Sequence, residues 1–168
     1  MNGNFLGIGA DLSINASVQV DASQAAGILI TNGEFTAFHT PGWLPKSTVE
    51  SSQVVVGKEN KGPVKFVDSS FWGPSSQIAL LEGQGTVTFA SCEFVEWDEQ
   101  KRDGRAAIQA SNGSLILNGN SFAQNKKQVS LGKGVQKAII TANIVTGAKN
   151  MDIDAAVKAQ VGLNAFDV

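Results

Sequence analysis

The stretches GTVTFASCEF (85–94) and GSLILNGNSF (113–122) share one spacing. Each opens on Gly, sets a large apolar residue four positions later and closes on Phe five positions beyond that. Working outward, five segments superimpose without gaps: ILITNGEF (28–35), VKFVDSSF (64–71), VTFASCEF (87–94), LILNGNSF (115–122) and AIITANIV (138–145). Their first column is Ile28, Val64, Val87, Leu115 and Ala138, and two residues on stand Ile30, Phe66, Phe89, Leu117 and Ile140. A spacing of two is strand alternation, with both side chains on one face. Five further on stand Phe35, Phe71, Phe94, Phe122 and Val145, a spacing that alternation cannot carry, so a bend lies between.

A second short strand recurs between the copies: Val54 with Val56, Ile78 with Leu80, Ile108 with Ala110, and Val129 with Leu131. Gly57, Gly83, Gly113 and Gly134 follow these pairs, and Val18 with Val20 precede Ile28 in the same way. The gap from the closing Phe to this strand is short after Phe71 and Phe122 and long after Phe35 and Phe94, which predicts two insertions on one corner. Between the core positions align Gly33, Ser69, Cys92, Asn120 and Asn143. These are expected to take the left-handed bend, with the Asn side chains hydrogen-bonding along the stack. Cys92 then reads as a small buried turn residue; a reactive thiol is the alternative, for which no basic partner is evident nearby.

Runs this short cannot be the helix pairs of ankyrin or tetratricopeptide repeats, and β-branched and aromatic residues dominate them. Each coil would stack on the next at about 4.8 Å, joining the inward columns into ladders. The expected fold is all-β, a parallel β-helix (solenoid) of roughly six coils. Residues 1–168 form one domain: 1–17 a partial coil or cap, 18–147 regular coils, 148–168 a last coil, a short helix or a cap.

Composition agrees. Hydrophobic residues at 42% and charged residues at 17% exclude a disordered chain. A net charge of −2 argues against nucleic acid as a partner. Cys92 is the single cysteine, and no apolar run has the length of a membrane span. The start MNGNFLGIGAD lacks the pattern of a signal peptide, so the protein is expected to be cytoplasmic or the chain to be a piece of a longer one.

On GILITNGEF, AAIQASNGSLILNGNSF, KAIITANIVTG and AQVGLNAFD, the chain resembles the pectate-lyase-like superfamily of right-handed parallel β-helices. More narrowly it is similar to the C-terminal coils of bacterial proteins related to family 28 glycoside hydrolases. The resemblance spans residues 18–168 and implies a right-handed coil, a polysaccharide ligand (often acidic), a homo-oligomer such as a trimer, and a secreted or periplasmic parent protein. The polygalacturonase clusters Asn-Thr-Asp, Asp-Asp, His-Gly and Arg-Ile-Lys are absent, as is the pectate-lyase run Arg-x-Pro-x-x-Arg.

Stacking makes surface columns the place to look for chemistry. Glu34 and Glu93 hold equivalent positions two coils apart, about 10 Å by the sheet spacing, with Asp68 on the coil between in a neighbouring column. Inverting glycosidases hold two carboxyls about 6.5–9.5 Å apart, so Glu34, Asp68 and Glu93 are the catalytic candidates. The same acids also admit a calcium site; no other cofactor is expected. Trp43, Trp72 and Trp97 all leave the corner after the closing Phe, and a row of indoles suits the faces of sugars. Their alternative role is to pack the inserted loops or a subunit contact. His39 stands without a second ligand type at metal spacing, and Lys101, Arg102 and Arg105 lie in a charged loop as candidate bases of a lyase. The first expectation is a module that binds or positions a polysaccharide without an intact catalytic site. A glycoside hydrolase or polysaccharide lyase, and a purely structural or oligomerising fragment, are the alternatives.

Overall fold

A computed structural model describes residues 3–8, 16–23, 25–38, 51–99 and 102–167. In chain order the strands are β1 (Gly3–Ile8), β2 (Val18–Val20), β3 (Ile28–Thr31), β4 (Gly33–Phe38), β5 (Ser52–Val56) and β6 (Val64–Val67). Then come β7 (Ser70–Trp72), β8 (Gln77–Leu81), β9 (Thr86–Ala90), β10 (Glu93–Val95), β11 (Ile108–Asn118) and β12 (Ser121–Phe122). The last are β13 (Val129–Thr141), β14 (Ile144–Val145), β15 (Met151–Ile153), β16 (Lys158–Gly162) and β17 (Ala165–Phe166). No helix occurs among the described residues, and every strand pairs in parallel. The strands form curled parallel sheets, consistent with a β-solenoid.

Three columns of strands result. One follows β2, β5, β8, the start of β11, the start of β13, and β15. The second follows β3, β6, β9, the end of β11, the end of β13, and β16. The third is a sheet of its own, in the order β1, β4, β7, β10, β12, β14, β17. β11 and β13 run through the corner between the first two columns, with register shifts near Ala110 and Gly113. That corner needs glycine: Gly113 has φ 73°, and a Cβ on it would stand 2.5 Å from the carbonyl oxygen of Gly83.

The register bears out the aligned columns. Ile28, Val64, Val87, Leu115 and Ala138 pair in succession and continue to Ala159. Ile30, Phe66, Phe89, Leu117 and Ile140 continue to Val161, and the closing column runs from Phe5 through Phe35 to Phe166. Two ladders of phenylalanine interlock in the core. Phe35, Phe71 and Phe94 stack at 4.9 and 5.6 Å, Phe66 and Phe89 at 5.0 Å, and rings meet edge to face across the two ladders. Offset stacking and edge contacts are the favoured aromatic geometries.

Two expectations need correction. In β8 the residues in register with Val54 and Val56 are Ala79 and Leu81 rather than Ile78 and Leu80, although Ile78 is itself fully buried in the core. Leu80 turns outward, because a strand of consecutive apolar residues leaves its phase to its neighbours. The left-handed residue also lies one position before the aligned turn column. Asn32, Asp68, Ser91, Gly119, Ala142 and Leu163 all have φ between 50° and 67°. The turn column itself points inward and satisfies the bend. Asn143 Nδ2 donates to Asn164 Oδ1 and Asn120 Nδ2 to Asn143 Oδ1, both at 2.9 Å, so the expected Asn ladder forms. The chain from 148 to 167 forms β15, β16 and β17 rather than a short helix.

Candidate functional site

Alternation on the third column turns one residue on each side of the closing Phe outward. Glu34 and Thr36 flank Phe35, Ser70 and Trp72 flank Phe71, and Glu93 and Val95 flank Phe94. The ladder pairs Glu34 with Ser70 and Ser70 with Glu93; beside this row it pairs Thr36 with Trp72 and Trp72 with Val95. Glu34 and Glu93 thus share an outward row two rungs apart, about 10 Å, with Trp72 diagonal to both at about 7–8 Å between Cα atoms.

The buried phenylalanines hold this face from below. Phe35, Phe71 and Phe94 are fully buried, so the strands carrying the outward residues rest on a stacked apolar floor. The carbonyl of Trp72 accepts a bond from Gln53 Nε2 at 3.0 Å, and Gln53 Oε1 accepts from Ser17 Oγ at 2.8 Å. Trp72 remains 43% exposed, and its indole N–H has no hydrogen-bond partner among the described residues. The carboxylates of Glu34 and Glu93 likewise have no ion pair or hydrogen bond among the described residues. A large ring left in water beside free carboxylates is not required by packing.

Trp97 is placed differently. It is fully buried, its Nε1 donates to the Lys127 carbonyl at 2.8 Å, and its ring meets Phe122 edge-on at 6.2 Å. It has no ring face for a ligand, so the described residues do not form a row of exposed indoles. Trp97 instead packs the second insertion onto the next rung. Lys126 Nζ donates to the Trp97 carbonyl at 2.8 Å and pairs with Glu99, which Arg102 also engages at 3.0 Å. The hydrogen bond from Lys126 holds the Glu99 carboxyl below the usual carboxylate range, against the opposing effect of partial burial. Arg105 donates to Gln77 Oε1 at 3.1 Å and pairs with Asp103 at 3.3 Å. Both arginines are thus engaged in fastening their loop.

Asp68 stands on a left-handed turn and is exposed, apart from the Glu34 and Glu93 row. Cys92 is buried, its thiol directed at the carbonyls of Ala90 (3.3 Å) and Phe66 (3.6 Å). Burial pushes that thiol up to about 11, the opposite of an activated nucleophile. Trp43, His39 and Lys101 lie outside the described residues. No group of three or more His, Cys, Asp or Glu able to hold a metal occurs among the described residues.

Read along the chain, the acids and the indoles are separate features. The signal joining them was available: residues immediately before and after an inward Phe share the outward face. Comparison with protein-family models, curated proteins and solved structures finds no match for this chain.

Proposed function

We propose that the chain is a right-handed parallel β-helix of roughly six coils, of the pectate-lyase-like kind, that binds or positions a polysaccharide. Parallel crossover connections between strands of one sheet are right-handed in about 98% of cases, which supports the hand. The observation that carries the binding role is Trp72, an exposed indole on a rigid strand stack, flanked by Ser70 and two unpaired carboxylates. Such a surface offers an apolar plane for a sugar face and acceptors for its hydroxyls.

The test is titration of wild type and Trp72→Ala with a panel of oligosaccharides, read by calorimetry and by tryptophan fluorescence. Binding by wild type and its loss in Trp72→Ala, with unchanged unfolding, support the reading. No binding across the panel leaves a structural fragment. Hydrolysis is the second reading, favoured by the shared row of Glu34 and Glu93. It requires bond cleavage that Glu93→Gln abolishes.

A further inference from the structure

We propose that the Trp72 face is selective for an amino-sugar polymer, a glycan carrying ammonium groups, over a polyuronate; this rests on the glycan-binding reading above. The third column carries charge of one sign. Its strands β4, β7, β10, β12, β14 and β17 contain Glu34 and Glu93 and not a single Lys or Arg. The chain as a whole is close to balanced, with 13 basic against 15 acidic side chains, so the sign of this face is set locally by Glu34 and Glu93. An acidic glycan laid along the face would meet like charge at both ends and no basic side chain from these strands.

The spacing suits a polycation. Glu34 and Glu93 are separated by two rungs, about 10 Å. That is roughly the length of a disaccharide repeat in an extended β-linked chain, in which every second sugar presents its substituents to the same side. Ammonium groups on alternate sugars would then meet Glu34 and Glu93 in turn. The sugar between them crosses Ser70 and lies against Trp72, where cations over an indole face are also favoured. Ser70 is the small residue at the centre of the row, leaving room for the ring.

The experiment compares oligosaccharides of equal length made of glucosamine, N-acetylglucosamine and galacturonic acid, at mildly acidic pH where the glucosamine amines are charged. Wild type, Trp72→Ala, Glu34→Gln, Glu93→Gln and the double Gln variant are titrated by calorimetry, with thermal melts to show that each is folded. The glucosamine oligomer is expected to bind most tightly and to weaken with salt. Each Gln variant should lose about threefold and the double variant about tenfold, the range of exposed ion pairs. The N-acetylated oligomer should be insensitive to the Gln variants. Equal binding of the charged and N-acetylated forms, or tighter binding of galacturonate, overturns the selectivity while leaving a glycan platform at Trp72. Failure of all three oligomers overturns the platform as well.

Discussion

Asn143 is the residue through which the stack of turns can be tested. Its Oδ1 accepts from the backbone N–H of Asn120 at 3.0 Å and from Asn120 Nδ2 at 2.9 Å. Its Nδ2 donates to the Leu117 carbonyl at 3.3 Å and to Asn164 Oδ1 at 2.9 Å. Asn143→Ala removes all four bonds in a place only 1% exposed, where water does not readily replace them. The Asn120 N–H loses its acceptor, and an orphaned buried donor costs about 1–3 kcal/mol. The other three lost bonds add roughly 0.5–1.5 kcal/mol each before relaxation, so about 3 kcal/mol, the lower end of the sum after neighbours relax, is expected. With a urea slope of about 2 kcal/mol/M the unfolding midpoint falls by roughly 1.5 M. In a stack held by nearest-neighbour contacts the loss is local, so the rungs from β13 onward should open first. Urea unfolding and hydrogen exchange at the Asn120 amide measure both effects. Thr146→Ala, on an exposed side chain of the same rung, should change stability by less than about 0.5 kcal/mol. A midpoint shift of Asn143→Ala no larger than this control, with the Asn120 amide still protected, refutes the ladder as a source of stability.

Cys92, with its thiol pushed up to about 11, should resist a thiol-reactive disulfide at pH 8 in the native protein and react fully once unfolded. Because its folded pKa is raised, its contribution to stability is complete below the ordinary thiol range and is lost as pH rises toward 11; a melt series from pH 8 to 11 checks this. Glu99 behaves with the opposite sign: its lowered pKa adds stability above the usual carboxylate range that disappears as pH falls through it. Lys126→Met should cost about 1–2 kcal/mol at pH 7 and flatten the acid limb of the stability curve, since the pair is neither fully buried nor fully in water. Gly113→Ala combines a left-handed φ with a Cβ driven against the Gly83 carbonyl and should lower stability by at least about 2 kcal/mol in a thermal melt.

The inward columns were legible because each inward position is under the same demand on every rung. Phe71 stacks on Phe94 and Phe94 packs at a tilt against Phe122, so the same residue type recurs at the same spacing. The phase of β8 was not legible, since Ile78, Ala79, Leu80 and Leu81 satisfy either alternation and only Val54 and Val56 decide between them. The left-handed column is not legible for a different reason. Asn32 and Gly119 suit that geometry, but Ala142 and Leu163 occupy it without any local preference, held there by the Asn bonds on either side. The candidate site was half legible: Glu34 and Glu93 were placed on one row, and Trp72 on the adjoining corner. That Trp97 turns under its loop depends on the bond to the Lys127 carbonyl, a partner thirty residues away that no local pattern reveals.

The same division explains why the outward face is the informative one. A substitution at Phe71 must answer to Phe35 above, Phe94 below and Phe66 across, so its identity is fixed by packing. Trp72 has no such constraint. At its lateral position the neighbouring rungs carry Thr36 and Val95, residues of ordinary strand preference that expose little apolar area. An indole there gains cross-strand contact with Thr36 and Val95 but leaves much of its apolar surface in water. On the adjacent row, two carboxylates two rungs apart stay unpaired, while Glu99 on the neighbouring insertion engages both Lys126 and Arg102. Strand pairing accounts for part of the indole and for neither unpaired carboxylate. A ligand with a flat apolar face and positive charge at a disaccharide interval would favour both.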